Sequence, residues 1–245
     1  MRVVVTDSYE DSCRLVAEEI VQLIKIKPDA KLGLATGGTA EQVYPFLVEA
    51  YRQGRADFSG VSTVNLDEYL GISPEDPASY RKCMDAWFFD QVNINKSRTY
   101  VASGLNDPAD EIQKFNKALY EDKLLDFQLL GVGVSGHIGF NEPGEKLSAG
   151  VHIEHLDEST VMANSRYFSS VDDVPRESIT MGIGDIMKAE KIVLIVTGES
   201  KIPVMTRLLQ DDFVTPDLPV SVLKLHRDAT VVMDKVLAQA CGYLG

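Results

Sequence analysis

With 245 residues, 44% of them hydrophobic and 25% charged, and a formal net charge of −13, the chain can hold one large domain or two small ones. Its acidity disfavours nucleic acid and anionic membrane as partners, and it obliges any phosphate site to be a local focus of cations and backbone amides. No run approaches the roughly 18 apolar residues of a membrane span, Asp7 comes too early for a secretory signal, and the scattered Cys13, Cys83 and Cys241 read as free thiols, so a cytoplasmic location is expected.

No repeat, low-complexity tract or long linker interrupts the chain. In chain order, strands are predicted over 2–6, 31–35, 61–66, 98–102, 126–133, 179–184, 191–197 and 229–234. Most are continuous Val/Ile/Leu runs, as expected of strands covered on both faces. Helical periodicity fills the intervals at 8–25, 41–53, 78–91, 107–123 and 200–210; in the first, Cys13, Val16, Ile20 and Leu23 recur at three- and four-residue steps. This alternation predicts an α/β fold with a mostly parallel sheet and helices on both faces. Ligands in such folds bind beyond the carboxyl ends of the strands, so the loops there carry the candidate chemistry.

The loop after 31–35 reads Thr36-Gly37-Gly38-Thr39. Paired glycines let backbone approach a ligand closely. Thr39 and Gln42 fit a capping box, which would open a helix with its free amides facing the loop. Pro45 then falls where it would kink or delay that helix. The pattern fits an anion cradle and an ordinary turn with a capped helix equally well. After 61–66 come Asp67 and Glu68. Adjacent acids beside a buried strand are costly unless used or paired; Asp67 is either a general base or a turn acid.

After 126–133 the chain reads Val134-Ser135-Gly136-His137-Ile138-Gly139-Phe140-Asn141-Glu142-Pro143. A histidine among glycines at a strand end, with a carboxylate five residues on, suits proton transfer near neutral pH. Arg166 and Lys201 supply candidate phosphate-binding cations; Lys201 follows a strand and opens a helix, the better placement of the two.

Together, Ala35-Thr36-Gly37-Gly38-Thr39, Asn65-Leu66-Asp67-Glu68-Tyr69, Gly136-His137-Ile138-Gly139-Phe140-Asn141-Glu142-Pro143, Ala163-Asn164-Ser165-Arg166 and Lys201 resemble the glucosamine-6-phosphate deaminase family in order and spacing, over nearly the whole chain. The resemblance implies a single Rossmann-like three-layer domain over 1–245, with a mobile lid at about 156–175. It implies that His137, oriented by Glu142, assists opening of the pyranose ring, and that Asp67 moves a proton from C2 to C1. Gly37, Gly38, Thr39, Arg166 and Lys201 would hold the phosphate. Neither a metal nor an organic cofactor is expected.

Two departures stand out. Many family members carry an acid or amide, which helps orient the histidine, where this chain has Ser135; a serine hydroxyl can still hydrogen-bond but cannot supply charge. After Pro143, Glu145 and Glu154 occupy the stretch where regulated members bind an acetylated sugar phosphate, so hyperbolic kinetics are expected. The expected assembly is a monomer or small homo-oligomer. A deaminase for another epimer such as galactosamine-6-phosphate, a 6-phosphogluconolactonase, and a non-catalytic sugar-phosphate sensor remain open as alternatives.

Overall fold

The continuous apolar runs become strands buried on both faces. In the computed structural model, which describes residues 1–244, β1 (Arg2–Thr6), β2 (Lys31–Leu34), β3 (Ser62–Asn65), β5 (Thr99–Tyr100), β6 (Phe127–Leu130), β9 (Ile192–Val196) and β10 (Ala229–Asp234) form one parallel sheet. Their order is β1-β10-β9-β6-β2-β3-β5. The central strands are dry: all five residues of β9 and all six of β10 are buried. A second, antiparallel sheet holds β4 (Asp67–Tyr69), β8 (Glu177–Thr180) and β7 (His152–His155), in the order β4-β8-β7.

Helices α1 (Tyr9–Ile26), α2 (Tyr44–Arg52), α3 (Tyr80–Trp87), α4 (Pro108–Tyr120), α5 (Glu158–Asn164), α6 (Ile183–Ile186), α7 (Ile202–Gln210) and α8 (Lys235–Ala240) complete the α/β architecture. The first shows how the sequence specifies them. Ser8 Oγ accepts from the Asp11 amide at 3.1 Å, capping α1. The helix then buries Cys13, Val16, Ala17, Ile20, Val21 and Ile24 on one face. Each large aliphatic side chain so buried contributes about 1.5–3 kcal/mol.

Three expectations need correction. Residues 179–184 do not form one strand. β8 stops at Thr180, and Gly182 caps α6: its amide donates to Asp185 Oδ2 at 3.3 Å, and a Cβ there would lie 2.4 Å from the Gly150 carbonyl oxygen, so only glycine fits. Asp67 is not in a loop after a strand but opens β4, paired with Thr180. The Thr39–Gln42 capping box does not form: Thr39 has helical backbone angles and makes no side-chain cap, and Ala40–Val43 is a 3-10 turn. Pro45 does delay the helix, standing in the first turn of α2.

The sheet order also locates the functional end. From β2 the chain proceeds outward to β3 on one side; from β6 it proceeds to β9 on the other. The β2/β6 junction is therefore the topological switch point, where loops leaving the carboxyl ends diverge and open a crevice. No helix among the described residues is long and apolar enough to cross a membrane.

Candidate active site

The loop after β2 is shaped by its glycines and held by two tyrosines. Gly37 has φ of 112°, a conformation that side chains disfavour. Tyr44 Oη donates to the Ala35 carbonyl at 2.6 Å, and Tyr9 Oη to the Thr39 carbonyl at 2.5 Å. The carbonyls at both ends are thus tied down, while the Gly37, Gly38 and Thr39 amides find no acceptor among the described residues. A fixed loop with free N–H groups can cradle an anion, here without the expected cap.

Arg166 rests on this loop, and Lys201 stands near Arg166. A Cβ built on Gly38 would lie 2.9 Å from Arg166 Nη2 and 3.2 Å from Tyr167 Oη, so the guanidinium rests on the glycine backbone. Arg166 donates to Tyr167 Oη at 3.0 Å and lies over that ring, but no carboxylate pairs with it among the described residues. Lys201, at the end of the 3-10 turn Glu199–Lys201, is half-buried and equally unpaired. Burial, aided by the nearby charge of Arg166, pulls its pKa down to about 8. Two adjacent cations without counter-ions among the described residues, in a chain of net charge −13, are chemically suited to an anion.

The second cluster lies on the turn after β6. Glu142 Oε2 is 3.0 Å from His137 Nδ1. Burial works to raise the Glu142 pKa, but bonds from His137, Thr160 and Ser135 outweigh it and hold the carboxyl low. An ionised carboxylate only accepts, so Nδ1 carries the hydrogen and Nε2 is left with a free lone pair. Ser135 Oγ sits 3.0 Å from Nδ1 and donates to Glu142 Oε2 at 3.2 Å. The imidazole packs against bare backbone: a Cβ on Gly133 would come within 2.2 Å of the ring.

Asp67 is the third component. It is 6% exposed, has no hydrogen-bond donor among the described residues, and stands beside Glu68. Burial first, and the Glu68 charge second, raise its pKa well above the usual carboxylate value. A Cβ on Gly139 would lie 3.6 Å from Asp67 Oδ2, which places the acid against the His137–Glu142 turn. Glu68 has a different task. Its carboxylate accepts from the Tyr69, Tyr80 and Arg81 amides and from Ser79 Oγ, capping α3.

The sequence-selected residues thus follow the carboxyl ends of the neighbouring strands β9, β6, β2 and β3, with Arg166 brought against the loop after β2. A model of the family described as glucosamine-6-phosphate isomerases/6-phosphogluconolactonase matches residues 6–232. The chain belongs to this family. Within it, a glucosamine-6-phosphate deaminase of Clostridium perfringens (strain 13 / Type A) is 44% identical over 98% of this chain and 99% of its own length. One from Thermoanaerobacter sp. (strain X514) is 42% identical over 97% and 94%. The structure of a monomeric glucosamine-6-phosphate deaminase superposes with a TM-score of 0.94 at 39% identity, covering 98% of this chain and all of that one. A 6-phosphogluconolactonase from Trypanosoma brucei, at 15% identity and a TM-score of 0.74, shares the fold.

Several polar groups near the candidate site were not apparent from the sequence. Thr160, on α5, donates to Glu142 Oε1 at 2.5 Å. Thr36 Oγ1, the Asn65 amide and Tyr69 Oη are buried without hydrogen-bond partners among the described residues. A lone threonine or asparagine carries no spacing signal, and Tyr69 reads as ordinary core. Residues 156–175 cover an aromatic cluster: Leu156, Val161 and Val174 are buried with Tyr69, Ile72 and Phe140. Among the described residues no group of three His, Cys, Asp or Glu side chains is arranged to hold a metal ion.

Proposed function

We propose that the chain converts glucosamine-6-phosphate to fructose-6-phosphate and ammonia, by aldose–ketose isomerisation coupled to deamination. One observation supports the reading: a buried Asp67 carboxyl with no hydrogen-bond donor among the described residues stands against the turn that carries the His137–Glu142 pair, at the same end of the sheet as Arg166 and Lys201. The full-length relatives named as deaminases support the same assignment.

The phosphate occupies the Gly37-Gly38-Thr39 amides, with Arg166 and Lys201 as counter-charges. His137 Nε2 accepts the anomeric hydroxyl proton and returns it to the ring oxygen, opening the pyranose. Its Nδ1–H stays committed to Glu142 and fixes the tautomer. Asp67 then removes the C2 proton, which is acidified by the adjacent carbonyl, and delivers it to C1. The enolamine becomes a ketose imine, and water releases ammonia. A carboxyl held in a dry site with a raised pKa suits both halves of this proton shuttle. Residues 1–245 act as one unit under this reading, with 156–175 as the cover that excludes water, and the chain works as a monomer or small homo-oligomer.

The test is to incubate the protein with glucosamine-6-phosphate and follow fructose-6-phosphate and ammonia together. Equal appearance of both, lost in Asp67→Asn, establishes the reaction and its base. Turnover only of galactosamine-6-phosphate reassigns the epimer. Turnover only of 6-phosphogluconolactone reassigns the reaction, and binding without turnover of any of them makes the chain a sensor.

A further inference from the structure

Glu142 is held from two sides. Its Oε2 takes the bonds from His137 and Ser135, both on the turn after β6. Its Oε1 takes one from Thr160, 18 residues further along the chain. Thr160 is 2% exposed, and its hydroxyl also stands 3.3 Å from His137 Nδ1. With its single hydrogen given to Oε1, it can only accept in that second contact.

The position of Thr160 in the chain gives the contact its meaning. It lies on α5 (Glu158–Asn164), which runs directly into the 3-10 turn Ser165–Tyr167 carrying Arg166. One short rigid piece therefore presents a hydroxyl to the proton-transfer pair and a guanidinium to the phosphate loop. The seat of this piece is apolar: Val161 is fully buried, and Phe168 packs edge-on against Tyr69 with ring centres 5.6 Å apart.

We propose that Thr160 is a positioning residue for proton transfer: seated with the 156–175 cover, its hydroxyl locks the Glu142 carboxylate in the orientation that directs His137. Closing the cover over the phosphate and arming the histidine are then one event. The inference rests on the deaminase reading for its chemistry, but the contact itself concerns only this chain.

The charged and titratable groups facing Glu142 are His137 from its own turn and Asp157 from the N-terminus of α5. Asp157 opposes ionisation of Glu142, whereas the bonds from His137, Thr160 and Ser135 favour it. Removing the Thr160 hydroxyl leaves Asp157 in place, so the Glu142 carboxyl must then hold its proton to higher pH.

Two measurements test this. The first needs no substrate: the titration of the Glu142 carboxyl carbon is followed by NMR in protein labelled at glutamate, with the signal assigned by its loss in Glu142→Gln. The midpoint is expected to rise in Thr160→Val, which keeps the shape and drops the hydroxyl, and to stay in place in Thr160→Ser. The second is steady-state kinetics with glucosamine-6-phosphate. Thr160→Val is expected to lose on the order of ten-fold in kcat, with KM within about two-fold, because one positioning bond is lost while phosphate contacts remain. Thr160→Ser is expected to retain the wild-type kcat. An unmoved Glu142 midpoint in Thr160→Val, or a Ser variant shifted as far as the Val variant, overturns the proposal. Failure of the wild type to release ammonia sinks the deaminase reading instead, and the NMR midpoints then decide the role of Thr160 on their own.

Discussion

Lys201 lies half-buried beside Arg166, and burial together with that guanidinium charge holds its pKa down to about 8. Only the protonated ammonium can serve a phosphate, and a bound dianion restores the proton it needs. As pH rises through about 8, free enzyme loses the Lys201 charge. KM is therefore expected to climb above that pH while kcat changes little. The limit is on the order of ten-fold or more, the worth of one charge-assisted hydrogen bond. Calorimetry near the same pH, in buffers of different ionisation enthalpy, should register proton uptake when a sugar phosphate binds. An alkaline rise in KM that persists in Lys201→Met would assign the effect elsewhere.

Asp67 sets activity against stability. Its folded-state pKa is raised by burial and by Glu68. A carboxyl of that kind stabilises the fold only while protonated, and the contribution is lost as pH rises through its folded pKa. Asp67→Asn removes the penalty. It is expected to abolish turnover by about 10²–10⁴-fold, the usual worth of a general base. The same variant should melt higher than wild type at neutral pH, by about 2–4 °C per kcal/mol recovered for a chain of this size. The gain should shrink on acidification, once wild-type Asp67 is itself neutral. Thermal scans across that range check the sign, and a variant melting lower at neutral pH contradicts the desolvation argument.

The parallel sheet was legible because burial on both faces writes itself as an unbroken apolar run: Ile192–Val196 and Ala229–Asp234 are visible without context. The antiparallel sheet was not. Its strands contain Asp67-Glu68-Tyr69 and His152-Ile153-Glu154-His155, polar segments made strands by tertiary pairing with Glu177–Thr180. The cap at Thr39 failed because an N-cap needs extended backbone, and the loop that Gly37 and Tyr9 shape holds Thr39 in helical angles. The candidate acid–base residues and cations stood out by motif and resemblance, since their chemistry is unusual where they stand. Thr160 could not, because a hydroxyl 23 residues from His137 meets it only through the fold.

Ser135 touches both His137 and Glu142, at 3.0 and 3.2 Å, so it assists the pair without a charge of its own. An aspartate there would add a second carboxylate beside His137 and strengthen its hold on the proton it receives during ring opening. Ser135→Asp is expected to speed ring opening and alter anomer preference, seen by rapid mixing of each anomer of glucosamine-6-phosphate. Unchanged kinetics and unchanged anomer preference would show that the serine already suffices.

Beyond Pro143, Glu145 is exposed, and Glu154 is engaged by His152 at 3.1 Å. Both carboxylates oppose a phosphate in that stretch. Velocity curves should be hyperbolic and indifferent to N-acetylglucosamine-6-phosphate. Sigmoidal curves that the acetylated compound straightens would place an effector site here despite the charge.

Gly133 separates chemistry from binding. A Cβ at that position would sit 2.2 Å from the His137 ring, closer than any contact can persist, so the imidazole must move. Gly133 is not in a left-handed conformation, so Gly133→Ala costs through this clash and not through backbone strain. The proposed phosphate loop follows β2, and the two cations lie on 156–175 and after β9, none of them in the contact that the change disturbs. The expected result is a kcat lower by roughly 10²-fold, the scale of a 1 Å misplacement of a catalytic group, with KM nearly unchanged and the Lys201-linked rise in KM above pH 8 intact. Equal losses in kcat and in phosphate affinity would mean that the turn after β6 also shapes the cradle, and the two clusters would then have to be treated as one.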